Sequence, residues 1–271
     1  MLRSEGDRLK RVVVSTPQHA YFDVATHEAA NIPRLADPAA TRRQHDRLKD
    51  TMISLGAEVV DVPELAGHPN SVFTRDVALC TPIGHIRLRM GLEVRRGEEA
   101  WMSRELEAMG EPRIGEITLP GTVEGGDVIL ADDVAFVGLS GRTNREGARQ
   151  LSSLLSKMGY RVRITVVGQD YLHLGGALSM IGPGMVVCCR GAVPSDYLAG
   201  FEVTEVKPAG PSPGNVICLG DGQLIANSAE NARAMEALDR KGMTVHGLDL
   251  SEFRKGGGGP TCLILPVTRG S

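Results

Sequence analysis

NREGARQLSSLLSKMGYRVRITVV, residues 144–167, contains the pattern that decides the fold. Apolar residues recur at three- and four-residue spacing from Asn144 to Met158, which predicts an amphipathic helix. Gly159 stands where a left-handed C-cap would end that helix. A run rich in valine and isoleucine follows, which is typical of a β-strand. One structural unit is therefore a helix, a glycine turn and a short strand.

The same unit recurs along the chain. Four other glycines precede short apolar strands: Gly56 before AEVVDV, Gly110 before EPRIGEI, Gly200 before FEVTEV and Gly242 before MTVHGLDL. The periodicity predicts further helices at 42–55, 98–109 and 228–241, with apolar stretches at 77–79, 128–130, 134–137 and 185–187. Five units of about 40 to 55 residues predict a modular, pseudo-symmetric α/β fold. A doubly wound parallel sheet would show the same alternation.

Composition narrows the class of protein. The 271 residues are 42% hydrophobic and 23% charged, as in ordinary soluble globular proteins. No low-complexity linker divides the chain, so we expect a single domain over residues 1–271 and a long loop at 207–215. A net charge of −3 and few aromatic residues argue against a nucleic-acid partner. Because no apolar run approaches ~20 residues and the first eleven residues lack an apolar core, we expect neither a membrane segment nor a secretory signal.

The five cysteines are odd in number and lack CxxC spacing. They fit neither a disulfide framework nor a structural zinc site, so free thiols in the cytoplasm are expected. Cys262 ends the run GGGGPTC, residues 256–262, and an apolar stretch at 263–265 predicts a buried strand directly after it. A thiol between a flexible loop and a rigid strand suits a nucleophile. A buried structural cysteine would give the same local pattern.

Four other polar clusters lie where predicted strands end and loops begin. They are Phe73-Thr74-Arg75-Asp76, Glu124-Gly125-Gly126-Asp127, Gly141-Arg142-Thr143-Asn144 and Tyr171-Leu172-His173-Leu174-Gly175-Gly176. Each has an ordinary structural explanation: a turn carboxylate, a hairpin, a solvated arginine or a structural histidine. Their order along one chain, followed by Gly-Gly-x-x-Cys, is the informative feature.

This ordered set resembles the guanidino-group-modifying superfamily, which includes dimethylargininases, arginine deiminases and amidinotransferases. The resemblance extends from about residue 70 to residue 267. It implies the pentein fold, a five-bladed α/β propeller with its site at the centre. It also implies a small guanidino substrate and Cys–His–carboxylate catalysis without a metal or an organic cofactor.

The resemblance assigns three catalytic residues. Cys262 would attack the central guanidinium carbon as a thiolate. His173 would protonate the leaving amine and then activate water. Glu124 would orient His173.

Five substrate-binding residues are also expected. Asp76 would pair with the guanidinium nitrogens, and Phe73 of the same motif would lie at the substrate. Arg142 would hold the substrate carboxylate, with help from Arg95 or Arg96, between which the sequence does not choose. Asp127 either contacts the substrate or supports its turn.

Residue 175 bears on the substrate. Arginine and agmatine deiminases carry His-x-Asp, whose carboxylate binds the second edge of the guanidinium, whereas this chain has Gly175 there. An unmodified nitrogen would then lack a partner, at a cost of roughly 1–3 kcal/mol when buried. A methylated nitrogen has fewer N–H groups to satisfy. The sequence therefore favours N-methylated arginine as substrate, with citrulline and methylamine or dimethylamine as products.

Two alternatives stay open at this point. Arginine deiminase-type hydrolysis of arginine or another guanidino compound is favoured by Phe73-Thr74-Arg75-Asp76 and by the glycine-rich approach to Cys262. A non-catalytic pentein binding module would not need a nucleophile together with paired carboxylates. The sequence does not decide whether the chain forms a homodimer.

Overall fold

Five three-stranded sheets form the framework of the protein. The computed structural model describes residues 2–23, 30, 32–210 and 212–270, and all statements here concern those residues. In every sheet the middle strand pairs antiparallel with one neighbour and parallel with the other. The five separate mixed sheets correspond to the predicted propeller and not to one doubly wound parallel sheet.

The strands follow the chain from blade to blade. Blade 1 contains β15 (Leu265–Arg269), β1 (Leu9–Ser15) and β2 (Glu58–Val62); blade 2 contains β3 (Ala78–Thr81), β4 (Gly84–Arg87) and β5 (Arg113–Glu116); blade 3 contains β6 (Val128–Ala131), β7 (Val134–Leu139) and β8 (Arg161–Val166); blade 4 contains β9 (Leu178–Gly182), β10 (Met185–Cys189) and β11 (Glu202–Val206); blade 5 contains β12 (Val216–Gly220), β13 (Gln223–Asn227) and β14 (Thr244–Leu248). The last strand of the chain pairs with the first, which closes the ring.

Helices lead into the last strand of four blades. They are α1 (Pro38–Ser54), α2 (Glu98–Ala108), α3 (Arg145–Lys157) and α4 (Ala232–Asp239), and a short α5 (Ser251–Arg254) follows blade 5. Helix α1 begins four residues before the predicted start, because the Asp37 side chain caps it and Pro38 occupies its first turn. Helix α4 begins four residues later than predicted. In blade 4 the described segment between β10 and β11 consists of turns instead of a helix.

The glycines that marked the repeat have the backbone conformation that was predicted. Gly56, Gly110, Gly159, Gly200 and Gly242 have φ values between 80° and 92°. This left-handed conformation is nearly free for glycine and strained for other residues. The chain can therefore turn sharply into the outer strand of each blade.

The first strands of the blades surround the centre of the molecule. β3, β6, β9 and β12 are buried along their whole length, and β15 contacts β3 while β9 contacts both β6 and β12. Short 3₁₀ turns precede four of the five first strands, so their side chains meet at one end of the central axis. Among the described residues, no helix has the length and apolar character that a membrane crossing requires.

Candidate active site

The 3₁₀ turns before β3, β6, β9 and β15 converge on one cavity of about 240 Å³. Seven of the eight site residues predicted from the sequence line it: Phe73, Asp76, Arg95, Glu124, Arg142, His173 and Cys262. They come from positions nearly 200 residues apart in the chain. The blade repeat brings them together because each turn occupies an equivalent place in its unit.

His173 and Glu124 form a buried pair. His173 Nε2 lies 2.8 Å from Glu124 Oε2. The other carboxylate oxygen, Oε1, accepts the backbone N–H groups of Gly91 at 3.1 Å and Leu92 at 3.2 Å. The loop before α2 thus fixes Glu124, and Glu124 in turn orients the imidazole. This is the contact that the resemblance implied for these two residues.

The charges around this pair move both pKa values. Burial opposes the charged imidazolium, but Asp76, Asp127 and Glu124 outweigh burial and raise the pKa of His173 to about 9. Burial likewise opposes the ionised Glu124, but the hydrogen bond and charge of His173, with Arg95 and Arg142, lower its pKa to about 2. At neutral pH the pair is therefore an imidazolium and a carboxylate, with a proton available for a leaving group.

Cys262 lies in the turn Pro260–Leu263, and the strand β15 begins at Leu265, three residues after it, and not directly after the cysteine over 263–265 as predicted. Its Sγ accepts the N–H of Gly259 at 3.4 Å. The side chain is partly exposed to the cavity, whereas the other four cysteines are buried and free. Burial and the nearby Asp76 raise the pKa of Cys262 to about 11. A cationic ligand would counter both effects and favour the thiolate.

Asp76 lies between the histidine and an arginine. Its Oδ2 accepts a hydrogen bond from Arg95 Nη1 at 2.6 Å, and its Oδ1 accepts the N–H of Gly126 at 3.2 Å. His173 Nδ1 is 3.9 Å from Oδ1. A Cβ at residue 126 would lie 2.6 Å from the His173 ring, so only glycine allows this approach. A Cβ at residue 125 would lie 2.1 Å from Arg75 O, so both positions of the Gly-Gly pair require glycine.

The structure distinguishes Arg95 from Arg96. Arg95 is buried and lines the cavity, while Arg96 is exposed and pairs with Glu93 at 2.9 Å. Arg95 is committed to protein atoms, because it contacts both Asp76 and Glu98. These contacts favour a role in holding Asp76. A contact of Arg95 with the substrate carboxylate stays a prediction.

Arg142 is the more loosely held arginine of the cavity. Its Nη1 lies 3.6 Å from Glu124 Oε1, beyond hydrogen-bond distance, and 12% of the side chain is exposed. A partly exposed guanidinium at a cavity wall is placed to pair with a carboxylate.

Asp127 does not line the cavity. Its Oδ1 accepts the N–H of Leu174 at 2.9 Å, and its Oδ2 accepts the hydroxyl of Ser140 at 2.6 Å. Both carboxylate oxygens therefore accept hydrogen bonds from protein donors outside the cavity. The expectation that Asp127 contacts the substrate does not fit this position; the carboxylate supports the turn that presents His173.

Sequence reasoning missed Asn215 and Arg254, which also line the cavity. The Asn215 side chain donates to Gly175 O at 2.8 Å and Thr261 Oγ1 at 2.7 Å, and it accepts the N–H of Thr261 at 2.9 Å. It ties the cysteine turn to the histidine turn. Its only signal in the sequence is its place at the end of the 207–215 loop, directly before β12. Arg254 donates to Glu230 and to Gly257 O, and it had no recognisable motif.

The cavity also contains a carboxylate–histidine cluster. Donor atoms of Asp76, Glu124 and His173 lie within 4.8 Å of one another, a spacing that could hold a cation. Arg95 already contacts Asp76, and Arg142 lies beside Glu124. Protein cations therefore offset these carboxylates. That the enzyme works without a metal stays a prediction.

Comparison with known proteins identifies the family. The sequence profile of the family described as "N,N dimethylarginine dimethylhydrolase, eukaryotic" matches residues 17–269. The chain belongs to this family. Its members are hydrolases that act on C–N bonds in linear amidines.

Individual relatives agree with this assignment. The chain is 28% identical to the N(G),N(G)-dimethylarginine dimethylaminohydrolase of Pseudomonas aeruginosa, over 94% of this chain and 98% of that protein. It is 28% identical to the same enzyme of Streptomyces coelicolor, over 85% and 92% of the two chains. An arginine deiminase of Oenococcus oeni is 25% identical, over 76% of this chain and 62% of the deiminase.

A solved structure confirms the fold. It is the Pseudomonas aeruginosa enzyme, as a cysteine-to-serine variant complexed with citrulline; its TM-score is 0.82 at 28% identity, covering 95% of this chain and 99% of that one. The five-bladed pentein fold and the dimethylargininase-like family are thus confirmed.

Proposed function

We propose that this protein hydrolyses N-methylated arginine to citrulline and methylamine or dimethylamine through a covalent intermediate on Cys262. The observation that carries the proposal is the presence of Cys262, His173, Glu124 and Asp76 on the wall of one cavity. Membership of the dimethylarginine family supports the substrate class.

The first half of the reaction forms a carbon–sulfur bond. The guanidinium enters as a cation and pairs with Asp76, which fixes its plane. Its positive charge favours ionisation of Cys262, whose thiol proton leaves for solvent. The Cys262 Sγ then attacks the central carbon, and a tetrahedral adduct forms.

The second half releases the products. His173, protonated at neutral pH, gives its proton to the departing methylamine or dimethylamine as the C–N bond breaks. A thiouronium remains on Cys262. His173 then takes a proton from water, whose oxygen attacks the same carbon, and collapse of this adduct releases citrulline and the thiolate. Glu124 keeps the imidazole oriented through both steps.

The cavity has features for both ends of the substrate. Arg142 would bind the α-carboxylate of the amino acid. At the guanidinium end, a Cβ on Gly175 would lie 3.0 Å from Gly126 O and 3.9 Å from Thr261 Oγ1. Even a Cβ would therefore be crowded against the Gly126 backbone, and the glycine supplies no carboxylate, which suits a methylated nitrogen better than a bare one.

The second candidate is deiminase-type hydrolysis of unmodified arginine. The deiminase-like motif Phe73-Thr74-Arg75-Asp76 and the likeness to an arginine deiminase support it. In the structure Arg75 is buried and donates to Glu5 and to the Gly125 and Val128 carbonyls, outside the cavity. This position gives Arg75 no direct part in substrate choice.

A substrate panel tests the proposal. Purified protein is assayed with asymmetric dimethylarginine, monomethylarginine, arginine and agmatine, with detection of citrulline-type product and of the released amine. Methylated arginines should give the highest kcat/KM, and agmatine, which lacks the carboxylate for Arg142, should be poor. Cys262→Ser should be inactive, and the buried Cys188→Ser serves as the matched control.

Two results would overturn parts of this proposal. A preference for plain arginine would contradict the argument from Gly175. Failure of a haloacetamidine to alkylate Cys262 selectively in the wild-type protein would contradict the nucleophile itself.

The setting of the enzyme is also proposed. Five free cysteines suit a reducing cytoplasm. We further propose that residues 1–271 form one catalytic domain, since the last strand closes the ring with the first. Light scattering on the purified protein would decide between monomer and homodimer.

A further inference from the structure

We propose that Glu98 is a positioning residue for the guanidinium subsite: by sharing Arg95 with Asp76, it keeps the charge of Asp76 available to a cationic substrate. This inference rests on the proposed function, because it takes Asp76 as the guanidinium contact. Glu98 itself does not line the cavity.

The three side chains form a buried, directional triad. Arg95 Nη1 donates to Asp76 Oδ2 at 2.6 Å, and Arg95 Nε donates to Glu98 Oε2 at 2.9 Å. Arg95 Nη2 lies 2.8 Å from the same Glu98 oxygen. All three residues are at most 4% exposed. Solvent therefore screens these charges poorly, and each one is felt by its neighbours.

The backbone fixes the arginine in place. Arg95 Nη2 donates to the carbonyl oxygens of Asn70 and Phe73, both at 3.2 Å. The guanidinium therefore cannot swing away from Asp76 when a ligand arrives. A fixed cation on Asp76 would by itself compete with the guanidinium of a substrate for the same carboxylate.

Glu98 removes that competition by charge. Asp76 and Arg95 alone sum to zero, whereas the triad with Glu98 carries a net charge of −1. Glu98 begins helix α2, where the positive end of the helix dipole favours a carboxylate. His68 Nδ1 lies 3.6 Å from Glu98 Oε1, and His173 Nδ1 is 3.9 Å from Asp76 Oδ1. Glu124 also acts on Arg95, and Arg75 and Cys262 interact with Asp76, so these three groups face the triad as well.

The same loop offers a matched control. Glu93 and Arg96 form an ion pair with the same three-residue spacing, at 2.9 Å, but both side chains are exposed. Glu93→Gln removes one carboxylate from the same segment without touching the triad. The kcat and KM of Glu93→Gln should equal those of the wild type, because exposed ion pairs contribute little to the free energy of folding or binding.

The test compares Glu98→Gln with Glu93→Gln, after thermal unfolding has shown that both are folded. In Glu98→Gln, we expect KM for a methylated arginine to rise about tenfold while kcat changes little. Alkylation of Cys262 by 2-chloroacetamidine, a cation, should slow by a similar factor. Alkylation by neutral iodoacetamide should stay the same or become faster, because a less negative site favours the thiolate.

This split, in which only the cationic reagent reacts more slowly, separates electrostatic positioning from simple damage to the site. Equal slowing with both reagents, or behaviour equal to Glu93→Gln, would overturn the inference. If Glu98→Gln does not fold, Glu98→Met, which has a similar length and no charge, replaces it: it should produce the same split, and the absence of the split overturns the inference. Failure of the wild type to turn over any guanidino substrate would instead overturn the proposed function.

Discussion

The two sides of the cavity differ in how they are built. The side formed by blades 2 and 3 presents two buried carboxylates: Asp76 is held by Arg95 and the N–H of Gly126, and Glu124 is held by two backbone N–H groups. We call it the charged side. Another part of the wall, which we call the neutral side, consists of Gly175 and the amide of Asn215, while the cationic His173 and Arg254 line the cavity elsewhere. The carboxylates can recognise positive charge, and the neutral side offers hydrogen bonds without a carboxylate. A guanidinium that carries methyl groups on one edge matches this asymmetry.

The largest expected effect comes from the charged side. Glu124→Gln keeps the shape of the side chain but removes the charge that orients His173 and, with Asp76 and Asp127, keeps it protonated. We expect kcat to fall by about a hundredfold or more, in line with the usual contribution of general acid–base catalysis. Steady-state assays with dimethylarginine measure the change.

A near-normal kcat in Glu124→Gln would show that His173 does not depend on the charged side. Glu93→Gln, an exposed carboxylate of the adjacent loop, is the control for this variant also.

A smaller effect is expected from the neutral side. Gly175→Asp adds a carboxylate beside Gly126 O and Thr261 Oγ1, which makes the two sides more alike. We expect the ratio of kcat/KM for arginine to that for dimethylarginine to rise about tenfold, because a bare nitrogen gains a partner. Gly175→Asn, with similar volume and no charge, distinguishes charge from crowding. An unchanged ratio in Gly175→Asp would contradict the role given to the missing carboxylate.

The smallest effect concerns stability. The pKa of His173 is raised from 6.5 to about 9, so its contribution to folding is fully present below pH 6.5 and is lost as pH rises toward 9. The pKa of Glu124 is lowered from 4.5 to about 2, so its contribution is present above pH 4.5 and is lost as pH falls toward 2. The free energy of unfolding, measured by denaturant titration, should fall as pH rises from 6.5 to 9 and as pH falls from 4.5 to 2.

In Glu124→Gln the free energy of unfolding should depend less on pH in both ranges, because the His173–Glu124 ion pair no longer exists. Equal slopes in wild type and variant would show that other groups dominate stability in these windows.

The sequence predicted the repeat because its signals are local. A glycine at a helix C-cap and an apolar strand after it depend only on neighbouring residues, and all five glycines have the predicted backbone conformation. Helix starts were less predictable: Asp37 lies before the predicted helix 42–55 and Asn231 lies inside the predicted helix 228–241, yet α1 and α4 begin directly after them. Blade 4 has turns where a helix would stand, and no helix had been assigned there.

The sequence predicted which residues line the site better than it predicted their individual contacts. Motif order placed Cys262, His173, Glu124, Asp76 and Arg142 around one cavity, as the structure does. Their catalytic roles stay predictions.

The sequence could not tell that Asp127 faces away from the cavity. Which side of a 3₁₀ turn a carboxylate faces depends on partners such as Ser140 and Leu174, which lie 13 and 47 residues away.

By itself, the sequence determined the fivefold glycine–strand repeat, the helices before four of these glycines and the residue types available for guanidine chemistry, because these follow from backbone preference and side-chain chemistry. Only the tertiary structure decided that Arg95 and not Arg96 reaches the cavity, that Glu98 shares it with Asp76, and that Asn215 joins the cysteine and histidine turns. The Arg95 contacts join two loops of blade 2, and the Asn215 contacts join turns of three different blades. Both depend on how the folded loops approach one another, which no local pattern contains.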